Sequence, residues 1–286
     1  MSDARAILLV HCPDQKGLLA KITEFIYKQG GNITYIDQHV DLAEQCFYLR
    51  AEWELKGFAL ERGEIGAAFA EQLGSPLSMT WRLYYNDQRP RMALMVSKES
   101  HCLDDILARW SSGEWAVDIP LIISNHEVLR PTAERFGIRF EHIPVTKDTK
   151  AQAEAQALEL LEEEGVDFIV LARYMQIISD QMVQRWPNRI INIHHSFLPA
   201  FAGAKPYHAA HQRGVKIIGA TSHYVTAELD QGPIIEQDVT RVTHHDRVED
   251  LIRQGRDLEK VVLSRAIWQH LNRKLLVFKN RTVVFV

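Results

Sequence analysis

From Ala6 to about Tyr85 the apolar positions recur alternately at spacings of two and of about 3.6, in the order strand, helix, strand, strand, helix, strand. Ala6 to Val10 is a short apolar strand. Asp14 is placed to cap a helix on which Leu18, Leu19, Ile22, Phe25 and Ile26 share one face, and Gly30-Gly31 ends it. Phe47, Leu49, Ala51, Trp53 and Leu55 alternate with Tyr48, Arg50, Glu52 and Glu54, which predicts a strand with one buried face. A second helix runs from about Leu60 to Leu73 and stops at Gly74. Leu77, Met79, Trp81 and Leu83 mark the last strand, so the whole is a ferredoxin-like βαββαβ pattern. The polar, proline-containing run 86–91 reads as a linker between a domain of residues 1–85 and one of residues 92–286.

Past the linker the strands become almost continuously apolar: Met92 to Val96, Ile119 to Ser124, Val166 to Ala172, Ile190 to His194 and Lys216 to Val225. Strands buried on both faces and alternating with helices predict an α/β domain with a doubly wound, mostly parallel sheet. The helices fall at Cys102 to Ser111, Pro131 to Phe136 and Lys150 to Glu164. A last one starts at Asp246, is expected to break near Gln254-Gly255, and runs on to Leu271. Leu275 to Val286 closes the chain as a hairpin turned at Lys279-Asn280.

Composition narrows the functional classes. The 286 residues carry 33 Lys plus Arg against 37 Asp plus Glu, a net charge of −4, which argues against nucleic acid or an anionic membrane as the main partner. The apolar runs are far shorter than the roughly 18 residues that span a bilayer, and no secretory leader is evident at the start, so a cytoplasmic location is expected. Cys12, Cys46 and Cys102 are too scattered for a disulfide framework or a CxxC pair and read as small buried hydrophobes.

In open α/β sheets the chemistry sits beyond the carboxyl ends of the strands. Three exits combine the right groups: Arg173 to Ile177, Asn192 to Ser196, and Thr226 to Gly232. Asn192 and His194 lie two apart on a strand and so point to one side, where a loop carrying Asp230 can converge on them. An amide and an imidazole can stabilise an oxyanion on a carbonyl, and a carboxylate can activate water, which suits acyl transfer without a covalent intermediate. The G-x-S-x-G elbow, the P-loop and the G-x-G-x-x-G fingerprint are absent. No metal is expected, because HExxH is missing and His194 and His195, adjacent on a strand, are expected on opposite faces.

The run Ile191-Asn192-Ile193-His194 through Ser196-Phe197-Leu198-Pro199, then Gly219-Ala220-Thr221, His223-Tyr224-Val225 and Asp230-Gln231-Gly232-Pro233-Ile234-Ile235, resembles the formyltransferase family that uses 10-formyltetrahydrofolate. Within it the chain is similar to the deformylase branch, whose members join an N-terminal ACT domain to the catalytic one. Asp14-Gln15-Lys16-Gly17-Leu18-Leu19, with Asn32-Ile33 after the first helix, carries the ACT likeness. The resemblance implies that Asn192, His194 and Asp230 are catalytic. It also implies that Met175, Gln176, Ile177 and Ile178, the loop Thr226, Ala227 and Glu228, and His223 form the folate pocket, and His208 is placed with them. The glycinamide ribonucleotide transformylases carry a Gly-Asn-Gly-Ser-Asn phosphate loop where this chain has Ser97-Lys98-Glu99-Ser100-His101, without glycines that let N–H groups cradle a phosphate. His195 stands where many of them have proline.

Water is therefore the expected acceptor, giving formate and tetrahydrofolate with the folate as substrate and no further cofactor. The alternative is transfer to an unidentified amine. For the ACT part the resemblance implies a homo-oligomer and an amino-acid effector, expected at Asp14, Gln15, Gly17, Leu18, Asn32 and Ile33; glycine and methionine are candidates because one arises with one-carbon loading and the other consumes one-carbon units.

Overall fold

A computed structural model describes residues 4–199 and 206–286. The chain forms two compact units, one running through Arg89 and taking in Asn272–Leu276 and Val283–Val286, the other comprising Pro90–Leu271 with Val277–Thr282. The expected division at 86–91 placed everything after it in the second domain; here part of the C-terminal hairpin belongs to the first unit.

The first unit runs β1 (Arg5–Pro13), α1 (Leu18–Lys28), β2 (Ile33–Asp41), β3 (Cys46–Glu54), α2 (Arg62–Phe69) and β4 (Thr80–Tyr85). The strands lie in the order β2-β3-β1-β4, all antiparallel, with Leu8 of β1 opposite Ala51 on one side and Leu83 on the other. Leu8, Val10, Leu49, Ala51 and Trp53 form one face of the sheet. Leu18, Ile22, Phe25 and Ile26 of α1 and Ile65 and Phe69 of α2 cover that face. Two expectations change. Asp14 does not cap α1: the helix starts after Gly17, whose left-handed φ of 86° makes the turn, while the Asp14 N–H donates to the Gln45 carbonyl at 2.8 Å. Secondly, β3 is buried on both faces, because Tyr48, Arg50 and Glu52 are covered as well. The returning C-terminal segment explains the second: Arg50 donates from Nε to the Arg273 carbonyl at 3.0 Å and pairs with Glu52 at 2.9 Å, and Tyr35 donates to the Val286 carbonyl at 2.6 Å.

The second unit runs β5 (Arg91–Val96), α3 (His101–Ser111), β6 (Asp118–Ser124), α4 (Arg130–Arg135), β7 (Arg139–His142), α5 (Lys150–Glu163) and β8 (Phe168–Ala172). It continues through α6 (Asp180–Arg185), β9 (Ile190–His194), α7 (Pro206–Arg213), β10 (Ile217–Tyr224), β11 (Ile234–Arg241) and α8 (Val248–Leu271). The hairpin β12 (Leu275–Phe278) and β13 (Arg281–Val284) ends the chain. Among the described residues seven strands form one sheet in the order β11-β10-β9-β8-β5-β6-β7. Those from β9 to β7 are parallel, and β10 and β11 extend the β9 edge antiparallel. The order reverses between β5 and β8, which makes that crevice the topological switch point. Ala93, Met95, Leu121, Ile123, Ile169 and Leu171 pack under Ala157, Leu161 and Met182.

The apolar runs locate five of these strands; β7 and β11 escape because Arg139-Phe140-Glu141-His142 and Glu236-Gln237-Asp238 read as polar at the two edges of the sheet. The last helix does not break at Gly255: α8 continues through it as one helix to Leu271.

Candidate active site

A cavity of about 580 Å³ opens at the carboxyl ends of β8 and β9 and is walled by the loop after β10. Asn192 and His194 both line it, as their two-residue spacing on β9 requires. Antiparallel pairing with β10 sets His223 directly opposite Asn192. The chain then turns out of β10 through Thr226 and returns at Gly232. A side chain at Gly232 would collide with the Tyr224 carbonyl, since an added Cβ would lie 1.7 Å from that oxygen. That close return brings Asp230, itself left-handed with φ 56°, over the strand ends.

Asp230 lies between two imidazoles, with Oδ2 3.3 Å from His194 Nδ1 and Oδ1 3.6 Å from His223 Nε2. The hydrogen bond from His194, then that from His223, hold its carboxyl well below the usual carboxylate range, so it is ionised at neutral pH. Asn192 Nδ2 lies 3.2 Å from His223 Nε2, and His223 Nδ1 lies 2.9 Å from the Tyr224 carbonyl. Because a carbonyl only accepts, His223 Nδ1 carries a hydrogen, and its Nε2 faces both the Asn192 amide and the Asp230 carboxylate. His194 Nε2 is buried without a hydrogen-bond partner among the described residues. A buried polar atom left open beside a cavity is available to a ligand.

His195 corrects one expectation. It also lines the cavity, and its ring centre is 5.2 Å from that of His194, because β9 ends at His194 and the two-residue alternation ends with it. Burial, then the Arg173 charge, lower its pKa to about 4, so it is neutral at pH 7. Among the described residues His101, Cys102 and Glu259 bring three potential metal-ligating atoms within 4.8 Å of one another. Glu259 is engaged there by His101 at 2.7 Å and Tyr207 at 2.7 Å, with the Arg173 guanidinium at 3.5 Å.

Met175, Gln176, Ile177, Ile178, Thr226 and Ala227 all line the cavity, with Met175 and Ile177 more than half exposed to it or to solvent. The Met175 N–H donates to Ser97 Oγ at 3.1 Å, which ties this segment to the end of β5. Two expected residues stand elsewhere. Glu228 is exposed and contributes its carbonyl to Thr226 and Gln231 inside the loop, and His208 is exposed on α7; neither lines the cavity. Arg173 and Asn280 are lining residues to which sequence reasoning gave no role. Arg173 is the first residue past β8, a position the strand-exit rule reaches. Asn280 comes from the terminal hairpin, and its amide donates to the Gln231 carbonyl at 2.8 Å, a contact with no local sequence signal.

In the first unit, Asp14, Gln15 and Gly17 form an exposed turn before α1, and Asn32 is exposed with its amide on Glu54 at 3.1 Å. Leu18 is buried at 2% exposure and Ile33 packs against the same core, so their side chains serve the sheet and only their backbones face that turn region.

Comparison with known proteins places these features in a family. Residues 90–267 match the model described as formyl transferase, and residues 6–50 match the ACT domain. A formyltetrahydrofolate deformylase of Synechocystis sp. is 56% identical over 285 residues, covering 100% of both chains. The crystal structure of a formyltetrahydrofolate deformylase from Pseudomonas syringae pv. tomato superposes with a TM-score of 0.97 at 45% identity, covering 100% of this chain and 96% of that one. A glycinamide ribonucleotide transformylase from Symbiobacterium toebii has a TM-score of 0.66 at 31% identity, covering 72% of this chain and 98% of its own.

Proposed function

The chain belongs to the formyltetrahydrofolate deformylase family, and from that premise we infer that it hydrolyses 10-formyltetrahydrofolate to formate and tetrahydrofolate through Asn192, His194 and Asp230. The observation that carries this assignment of roles is the ionised Asp230 carboxylate, bracketed by His194 and His223 at the mouth of the cavity. Asp230 orients a water and takes its proton as the oxygen attacks the N10-formyl carbon. The Asn192 amide and the open Nε2 side of a protonated His194 stabilise the oxyanion that forms. His194 then delivers its proton to N10 as the C–N10 bond breaks, and formate leaves. His223, opposite Asn192 on β10, holds the Asn192 amide in place beside the cavity. The ring system lies against Met175, Ile177 and Leu229, and the cavity volume of about 580 Å³ suits a small-molecule ligand.

This chemistry asks for no metal and no cofactor beyond the folate. The test is formate release from 10-formyltetrahydrofolate by purified protein with no amine added. An Asn192→Ala enzyme should lose about 100- to 1000-fold in turnover, and a folded variant with wild-type turnover refutes the assignment.

For the first unit we propose an amino-acid effector at the Asp14 to Gly17 turn, with glycine and methionine as candidates, pairing of ACT units between copies, and a cytoplasmic setting. The absence of any helix long and apolar enough to cross a membrane among the described residues agrees with the last. Activity and thermal midpoint, measured with and without each amino acid, test the effector: no change with either removes both candidates.

A further inference from the structure

The crevice between the carboxyl ends of β5 and β8 is where a doubly wound sheet ordinarily admits a ligand. In this protein it is filled from within. Glu259 of α8, 1% exposed, accepts hydrogen bonds from His101 Nε2 at 2.7 Å and from Tyr207 Oη at 2.7 Å, and the Arg173 guanidinium lies 3.5 Å from it. His101 opens α3 at the end of the loop after β5, Arg173 directly follows β8, and Tyr207 comes from α7, so three elements are tied to a fourth across the switch point.

The arrangement is shaped for occupancy. Gly255 sits one turn before Glu259 on α8, and a Cβ there would come within 2.0 Å of Tyr207 Oη; the missing side chain lets the tyrosine reach the carboxylate. Arg173 adopts a left-handed φ of 64°, unusual for a residue with a side chain. It is also part of the wall of the catalytic cavity, and the register that sets Leu171 beside Asn192 carries Arg173 to the side of His194. Burial by itself would raise the Glu259 pKa, but the His101 bond, the Arg173 charge and the Tyr207 bond outweigh it and keep the group ionised.

Resting on the hydrolytic reading above, we propose that the His101, Arg173, Tyr207 and Glu259 cluster occupies the acceptor side of the cavity and so determines that water, and not an amine, receives the formyl group. A water needs only about 30 Å³ beside the formyl carbon, whereas an amine acceptor must lay the rest of its molecule along the strand ends. Those ends are the ones the cluster covers. Nε and Nη1 of Arg173 and Nδ1 of His101 remain buried without hydrogen-bond partners among the described residues. The Arg173 guanidinium nitrogens are donors in the wall of the cavity, where a hydrogen-bonding second substrate would otherwise be held. With the crevice opened, the amine nitrogen attacks the formyl carbon and the C–N10 bond breaks. The proton shed by the amine passes to Asp230, His194 supplies one to N10, and a formamide and tetrahydrofolate result.

The experiment measures the ratio of formylated amine to formate from ¹³C-formyl-labelled substrate over a series of glycinamide concentrations, for the wild type, Arg173→Gly and Arg173→Gly/Glu259→Gln. The double variant neutralises the carboxylate that the single one deprives of the Arg173 charge. The wild type should release formate while forming no more formylated amine than the uncatalysed background at any concentration. The opened variants should raise the ratio of formylated amine to formate at least about tenfold with saturation in amine. General damage to the fold lowers both products together and leaves the ratio unmoved. Formation of formylglycinamide by the wild type overturns the proposal, as does a variant that still turns over at the wild-type ratio. Absence of formate from wild type without amine instead defeats the hydrolytic reading, so the two failures are distinguishable.

Discussion

Two carboxylates of the second unit are held by comparable means and serve opposite ends. Asp230 stands on an irregular loop, 17% exposed at its side chain, with two imidazoles beside it and the cavity in front. Glu259 stands inside a 24-residue helix, 1% exposed, and both its oxygens are engaged by protein. The difference lies in what is left open on the carboxylate itself: Asp230 keeps an edge toward the cavity beside the open His194 Nε2, while both oxygens of Glu259 are taken up by His101 and Tyr207. A charged group acts on a ligand only where the fold leaves it an unfilled valence next to a cavity; fully enclosed, the same chemistry becomes structure.

Breaking the comparison at its catalytic end should give the largest effect. Asp230→Asn removes the carboxylate proposed as the base and its hold on His194, and turnover should fall by about 100- to 10,000-fold with a thermal midpoint close to wild type. A variant of unchanged turnover would remove Asp230 from the mechanism. At the enclosed end the effect should be on stability. Glu259→Leu leaves the Arg173 guanidinium buried and unpaired, costing about 3–5 kcal/mol in chemical denaturation. A loss of no more than about 0.5 kcal/mol, the size typical of surface substitutions, would mean that the cluster is far less enclosed than its burial indicates.

His195, between the two networks, separates them by pH. Its folded-state pKa of about 4 lies below the unfolded value of 6.5, so the stability it contributes is fully present above pH 6.5 and is lost as pH falls toward 4. The loss attributable to this one group is about 3 kcal/mol, and His195→Gln should flatten the stability curve over that window by a comparable amount. An unaltered curve would place the titrating group elsewhere. Asp230 adds no acid limb near neutrality, since the contribution of a carboxyl with a lowered pKa begins to be lost only as pH falls below its unfolded value of 3.8. The smallest effect is expected from Gly255→Ala. The helix gains propensity while Tyr207 is pushed off Glu259, for a net loss of about 1–2 kcal/mol, read as a lowered thermal midpoint.

Much of the fold is legible along the chain because burial and periodicity coincide there. The apolar runs of β5, β6, β8, β9 and β10 and the alternation of β1 and β3 are written in adjacent residues, as is the spacing that turns Asn192 and His194 to one side. Where burial comes from residues distant in sequence, the local pattern misleads. Arg50 and Glu52 look like the wet face of β3 and are buried by the returning C-terminus, and Gly255 looks like a helix stop and is a gap for Tyr207. His208 and Glu228 stand in family-like segments, yet the packing of α7 and the turn of the loop leave both side chains outside the cavity.

The sequence by itself determined the two-part organisation, the mostly parallel sheet, the triplet Asn192, His194 and Asp230, and the missing glycines after β5, since each depends on neighbouring residue types or on an ordered set of motifs. Only the tertiary structure decided that Asp230 is bracketed by two histidines, that His195 shares the cavity with His194, and that Glu259 joins His101, Arg173 and Tyr207 across the switch point. Those facts turn on which strand ends meet and how closely helices approach, and such distances arise from packing of the whole unit rather than from any stretch of chain.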